Sequence, residues 1–166
     1  MRISQAGARD ALPLLALHRG VLEEGGYFIS EVDEYQVSLE AQTAWIGDCR
    51  ASENSVILCA RGPMLKGFVS VQGGALARMR HVAKLEIMVG RQHRGQGVGR
   101  ALLTAALDWA EANPAVEKMG LSVFATNDRA IALYEAHGFE IEGRREREYR
   151  MADGSYRADI LMYRYV

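Results

Sequence analysis

The sequence predicts one α/β domain with strands and helices interleaved in the order β-α-α-β-β-β-α-β-α-β-β. Three observations carry this reading. β-prone runs such as Val56-Ile57-Leu58-Cys59 alternate with stretches whose apolar residues recur at helical spacing, as in Leu102, Ala105, Ala106 and Trp109. One strand-like run, Leu85 to Val89, passes through a glycine-rich turn directly into a helix-like run, Ala101 to Ala112. The 166 residues contain no repeat, linker or low-complexity segment, and that length suffices for a single core over 1–166.

Each element has a local cause. Arg2 to Gln5 reads as a short first strand. Asp10 as N-cap and Pro13 in the first turn open a helix that continues through Val21 and Leu22 and ends at Gly25-Gly26. Tyr27 to Val37 is a loop rich in acid, with Glu31, Asp33 and Glu34. Ser38 begins a second helix, carrying Ala41, Trp45, Ile46 and Cys49 to about Arg50. Ser55 to Ala60 is a strand, and the Gly62-Pro63 turn leads to the next, Met64 to Val71, which Gly73-Gly74 ends or bulges. Lys84 to Val89 enters the glycine turn, and Asn113-Pro114 stops the helix that follows. After a strand over Met119 to Ala125, Asn127 caps a short helix, Asp128 to His137, closed by Gly138. Phe139 to Arg150 and Tyr156 to Tyr165 form a hairpin through Asp153-Gly154. Trp45 and Trp109 read as core anchors.

Composition narrows the function. Apolar content of 49% and charged content of 25% are those of an ordinary globular protein. A net charge of −1 lacks the positive excess that drives broad nucleic-acid binding. No apolar run approaches the ~20 residues that span a bilayer, and the N-terminus lacks a signal-peptide core. Cys49 and Cys59 alone imply no disulfide framework, so reduced cysteines and a cytoplasmic location are expected. His18, His81, His93 and His137 show no metal-ligand spacing, so no metal is assigned. Arg144, Arg145, Arg147 and Arg150 alternate with Glu142, Glu146 and Glu148 in a charge-laced strand rather than a nucleic-acid patch.

The turn from Val89 to Arg100 is the first site candidate. Gly95, Gly97 and Gly99 let the backbone take positive φ and approach a ligand without Cβ atoms in the way. The helix that follows begins with unpaired N–H groups and the positive end of its dipole, a site for a phosphate. Arg94 and Arg100 flank it as further donors. The glycine spacing is not that of a dinucleotide fingerprint, and the Gly-Lys-Ser/Thr of a P-loop is absent. The second candidate is Asn127 to Phe139. Asn127 and Tyr134 are seven apart, about two helical turns, and can line one side of a cleft. A tyrosine hydroxyl suits protonation of a departing thiolate.

Gln92-His93-Arg94-Gly95-Gln96-Gly97 and Asn127-x-x-Ala130-x-x-Leu133-Tyr134-x-x-x-Gly138-Phe139 together resemble two motifs of the GCN5-related N-acetyltransferase (GNAT) family, and the element order fits nearly end to end. The resemblance implies a mixed, mostly antiparallel sheet with flanking helices, splayed between the strand ending at Val89 and the strand starting at Met119. It implies acetyl-coenzyme A (acetyl-CoA) as co-substrate in that V. Backbone groups of Met88 and Val89 would pair with the pantetheine. The Gln92 turn, with the amides of His93, Arg94, Gly95, Gln96, Gly97, Val98, Gly99 and Arg100, would hold the pyrophosphate. Asn127 would bond the pantetheine arm, and Tyr134 would face the thiol. A primary amine, of a small molecule such as a polyamine or amino acid, would enter from the far side and attack the acetyl carbonyl directly. A homodimer through the last strands is also implied.

That chemistry needs a base. An amine of pKa ~10.4 is short of its neutral form by ~3.4 pH units at pH 7, about 4.6 kcal/mol of barrier. Glu86, in the strand beside the cofactor, is the first candidate. Alternation places Glu86 and Met88 on the face opposite Leu85, Ile87 and Val89, and leaves open which face is the cleft. The Val89 amide is the expected donor to the carbonyl oxygen. Family members that acetylate ribosomal proteins often carry a glutamate where this chain has Ser122, a departure that points away from a protein N-terminus. Glu31, Asp33 and Glu34 are expected to attract a cationic amine from the loop over the cleft. The alternatives are a protein N-terminal or lysine acetyltransferase and a non-catalytic acyl-CoA-binding module, with Tyr134 favouring an enzyme.

Overall fold

The computed structural model describes residues 1–166. Seven strands, β1 (Arg2–Gln5), β2 (Ser55–Arg61), β3 (Leu65–Gly73), β4 (Val82–Val89), β5 (Lys118–Phe124), β6 (Glu140–Arg150) and β7 (Tyr156–Tyr165), form one sheet in the order β1-β2-β3-β4-β5-β7-β6. Every neighbouring pair is antiparallel except β4 and β5. Four helices flank it: α1 (Ala11–Leu22), α2 (Leu39–Ala51), α3 (Val98–Glu111) and α4 (Asp128–Glu135).

The sheet separates two cores. On one face, Leu102, Leu103 and Ala106 of α3 pack with Ala83 and Leu85 of β4, Met119 of β5 and Met162 of β7. On the other, Leu14 of α1 and Ile46 of α2 pack with Ile57, Phe68 and Met88. Strand alternation therefore sends Leu85, Ile87 and Val89 toward α3, and Glu86 and Met88 toward α1 and α2.

The capping residues act as the sequence predicts for α2 and α4. Ser38 Oγ accepts from the Ala41 amide at 3.1 Å, and Asn127 Oδ1 accepts from the Ala130 amide at 3.2 Å. Asp10 does not cap α1. It closes a preceding 3-10 turn instead, accepting from the Gly7 amide at 2.7 Å, and is buried against Arg61 of β2 in an ion pair. That pair holds its carboxyl below the usual range and pins the start of α1 to the sheet. The glycine that ends β3 marks a close approach: a Cβ on Gly73 would stand 2.1 Å from the Asn54 side chain.

Candidate active site

The gap is a consequence of where pairing stops. β4 and β5 pair only over Val82–Lys84 with Lys118–Gly120, while β3 follows β4 to Val89 and β7 follows β5 to Phe124. Beyond Lys84 the two strands part. The Lys66 carbonyl accepts from the Gly90 amide, and the Val82 carbonyl from the Gly74 amide. Antiparallel alternation then turns the backbone groups of Lys84, Glu86 and Met88 toward β3, and those of Leu85, Ile87 and Val89 into the gap. This corrects the expectation for Met88, whose backbone faces Phe68; Ile87 takes its place beside Val89. The Val89 carbonyl accepts from Arg94 Nε at 3.0 Å, and its amide faces the gap.

The glycine turn follows at the mouth of the gap. Gly95 and Gly97 have φ of 77° and 78°, while Gly99 is helical. The third glycine serves packing: a Cβ there would touch Leu133 and Val89 at 3.6 and 3.8 Å. The His93 amide donates to Gly90 and the Arg94 amide to Arg91, inside a 3-10 turn. The amides without a backbone acceptor therefore run from Gly95 to Arg100, a shorter cradle than His93 to Arg100. Arg94 is engaged as well, its guanidinium bidentate on Glu24 at 2.7 and 2.8 Å. Arg94 thus ties the end of α1 to the turn instead of offering a free cation. Gln92 Nε2 donates to Met64 Sδ at 3.6 Å, and Gln96 Nε2 to the Gln92 carbonyl at 2.8 Å. Both side chains brace the loop. Arg100 and Arg129 are free cations beside the turn, the latter with Nη2 at 3.9 Å from a Gly95 Cβ position. Arg129 escaped sequence reading because it occupies a variable slot of the Asn127 motif. Its place in the first turn of the capped α4 was the available signal.

Tyr134 and Glu86 approach the gap from opposite faces of the sheet. Tyr134 is 6% exposed and packs its ring on Phe139 at 5.8 Å. Burial, with the Glu86 charge, holds its hydroxyl well above the ordinary tyrosine range, so it stays protonated. Glu86 lines a pocket of about 340 Å³ with His18, Tyr35, Gln42, Trp45 and Gln72. Desolvation moves its carboxyl upward. His18 stacks on Tyr35 at 4.2 Å, and burial pushes its imidazole down to about 4, so it is neutral at physiological pH. Trp45 stands edge-on to Phe68 at 6.4 Å and forms pocket wall as well as core.

This pocket opens into a continuous cleft of about 1790 Å³ that also takes in the glycine turn, Asn127 and Tyr134, and Ser122 of β5. The loop after α1 faces the cleft with Tyr27, Phe28, Ile29 and Ser30. Its acids do not: Glu31, Asp33 and Glu34 are exposed in a 3-10 turn, where Glu34 accepts from the Glu31 amide at 2.9 Å. Sequence reading saw the charge of that loop and missed its aromatic face. It also missed His18 and Tyr35, which meet Glu86 only through the packing of α1 on β3 and β4. Asp159 of β7, 1% exposed and lining the cleft, had no local signal at all.

Residues 23–139 match the model of the acetyltransferase (GNAT) family. The chain is 29% identical over 107 residues to the L-amino acid N-acetyltransferase AaaT of Escherichia coli, covering 64% of this chain and 65% of that protein. It is 33% identical over 81 residues to the spermidine N(1)-acetyltransferase of Vibrio cholerae, covering 49% of this chain and 46% of the relative. The chain thus spans less than two thirds of the length of either relative. A crystal structure of a GNAT-family acetyltransferase from Streptococcus pneumoniae superposes over 99% of both chains with a TM-score of 0.96 at 28% identity.

Proposed function

The chain belongs to the acetyltransferase (GNAT) family, and from that footing we propose that it moves an acetyl group from acetyl-CoA to a primary amine of a small molecule. The observation that carries this reading is the placement of Glu86, a half-buried carboxylate facing an aromatic-walled pocket directly beside the gap. The residues of the other wall fit acetyl-CoA. Six successive amides, Gly95 to Arg100, and the cations Arg100 and Arg129 suit its phosphates. The edge of β4 at Ile87 and Val89, with Asn127 across the gap, suits an amide-bearing arm. Bound there, acetyl-CoA supplies an activated acyl group.

The chain's own groups then divide the work. Glu86 accepts the ammonium proton, directly or through one water, and its raised pKa makes it a better base than a solvated carboxylate. The Val89 amide, held at the gap by the Arg94 bond to its carbonyl, donates to the carbonyl oxygen as negative charge gathers there. Tyr134, protonated far above neutral pH, donates to the departing sulfur. His18, neutral and stacked on Tyr35, adds no positive charge to repel a cationic acceptor. The pocket is covered by α1, α2 and the Tyr27–Ser30 loop, which suits a small amine better than a peptide.

A free-thiol assay with acetyl-CoA against polyamines, amino acids, aminoglycosides and short peptides, run beside Tyr134→Phe, tests the proposal. Thiol release with a small-molecule amine, weakened in the variant, supports it. Release with peptides alone moves the assignment to protein acetylation. Coenzyme binding with no release for any acceptor identifies a binding module.

A further inference from the structure

Resting on the amine-transfer reading above, we propose that Asp159 and Tyr149 form a second cation subsite, so that the acceptor is a diamine or polyamine whose far ammonium docks there. Asp159 is 1% exposed, and neither carboxylate oxygen has a hydrogen-bond partner. A buried carboxylate left unpaired is costly, and such groups are normally paired or hydrogen-bonded. The proton-bearing neighbours that face it are the Tyr149 hydroxyl and Arg145. Arg145, opposite Asp159 in the β6–β7 register, turns its guanidinium to Glu148 at 3.2 Å. Burial moves the Asp159 carboxyl upward, with a further push from Glu148, and the Tyr149 hydroxyl and the Arg145 charge offset this only in part.

The subsite lies on the acceptor side of the sheet. Phe124 pairs with Asp159, and Glu86 stands in line with Ser122, two residues before Phe124, by extension of the β4–β5 register. Glu86, Ser122, Phe124 and Asp159 therefore share one face, and all four line the same cleft. Tyr149 is brought there by an irregularity in β6. Between the pairs Arg145–Asp159 and Tyr149–Arg157, three residues of β6 oppose one of β7, with Arg147 at φ 54°. A side-chain-bearing residue rarely adopts that φ, and such strain clusters at binding sites. The bulge seats the Tyr149 ring 5.0 Å from Phe124 beside the carboxylate.

A carboxylate floor with aromatic walls recognises an alkylammonium, by charge and by cation–π attraction. It repels the carboxylate of an amino acid. β7 is one strand, roughly 4.8 Å, beyond the edge of the gap, within reach of a short alkyl chain from an amine poised there.

The test compares putrescine and spermidine with butylamine, using wild type, Asp159→Asn and Tyr149→Phe. Wild type should favour the polyamines by about tenfold in kcat/KM. Asp159→Asn should abolish that preference while leaving butylamine turnover and the coenzyme KM unchanged, and Tyr149→Phe should weaken it. Without ligand, Asp159→Asn should melt above wild type, since it removes an unpaired buried charge. A lower melting temperature, or equal losses for polyamine and monoamine, would identify a structural carboxylate and overturn the proposal. So would wild type without preference. If no amine is acetylated at all, the transfer reading fails, and calorimetric titration with spermidine decides the subsite: binding lost in Asp159→Asn supports it, and no binding to wild type removes it.

Discussion

The two walls of the cleft are built from different material. The wall of the glycine turn is mostly backbone: free amides from Gly95 to Arg100, the open edge of β4, and two glycines at positive φ within one unbroken stretch of chain. The facing wall is side chain, drawn from α1, the loop after it, α2, β4, β5 and the β6–β7 hairpin. Backbone donors recognise what is constant in a ligand, such as a phosphate. Side chains gathered from six elements can be exchanged one at a time without disturbing the fold. The contrast explains how one wall can be read as a motif while the other fixes what is particular to this protein.

The contrast can be broken by single substitutions, and the largest effect is expected where the walls meet. Tyr134→Phe keeps the ring packed on Phe139 and removes the proton donor, so kcat should fall by roughly 10²-fold or more with the coenzyme KM little changed, read by thiol release. Glu86→Gln should cost about 10²-fold in kcat/KM for the amine. It should also change the pH profile. Because burial raises the Glu86 carboxyl, wild-type activity should drop as pH falls through a value above the ordinary carboxylate range, and the variant should lack that limb. Gly97→Ala acts on the other wall. A Cβ there meets nothing within 4 Å, but φ of 78° is strained for alanine by about 1–2 kcal/mol, so coenzyme affinity should fall up to about tenfold while amine selectivity is kept.

Two further variants sharpen the boundary of the side-chain wall. Asp10→Asn leaves Arg61 half paired and should lower stability by about 3 kcal/mol in denaturant titration. The Asp10 carboxyl is depressed by Arg61, so this stability is complete above the unfolded pKa of about 3.9 and is lost as pH falls through the lower folded value. Because the pair anchors α1, which carries His18, the amine KM should rise more than the coenzyme KM. Neutralising Glu31, Asp33 and Glu34 together should be nearly silent, within about twofold in amine KM, because exposed charges are screened and these face away from the cleft.

What the sequence disclosed follows the same division. Hairpin, caps and the strand–turn–helix junction are local, so Ser38, Asn127 and the Asp153-Gly154 turn could be read directly. The wall of the glycine turn was legible because its chemistry is contiguous. Its errors were short-range competitions: the 3-10 turn consumes the His93 and Arg94 amides, and strand register turns Met88 away from the gap. Asp10 looked like a cap because Arg61, the partner that claims it, lies 51 residues away. The facing wall was largely illegible. Glu86 was found by its neighbourhood in β4, but its face could be settled only by the packing of α1 and α2. His18, Tyr35, Tyr149 and Asp159 converge through tertiary packing and a bulge that no spacing announces.

The most direct test of this two-walled account is the pH dependence of kcat/KM for a polyamine, in wild type and Glu86→Gln, with coenzyme affinity measured on the same samples. The account predicts an acid limb in wild type that vanishes in the variant while coenzyme affinity is unchanged. An acid limb that survives the substitution, or a loss of coenzyme affinity equal to the loss of rate, would place Glu86 outside proton transfer and contradict the division.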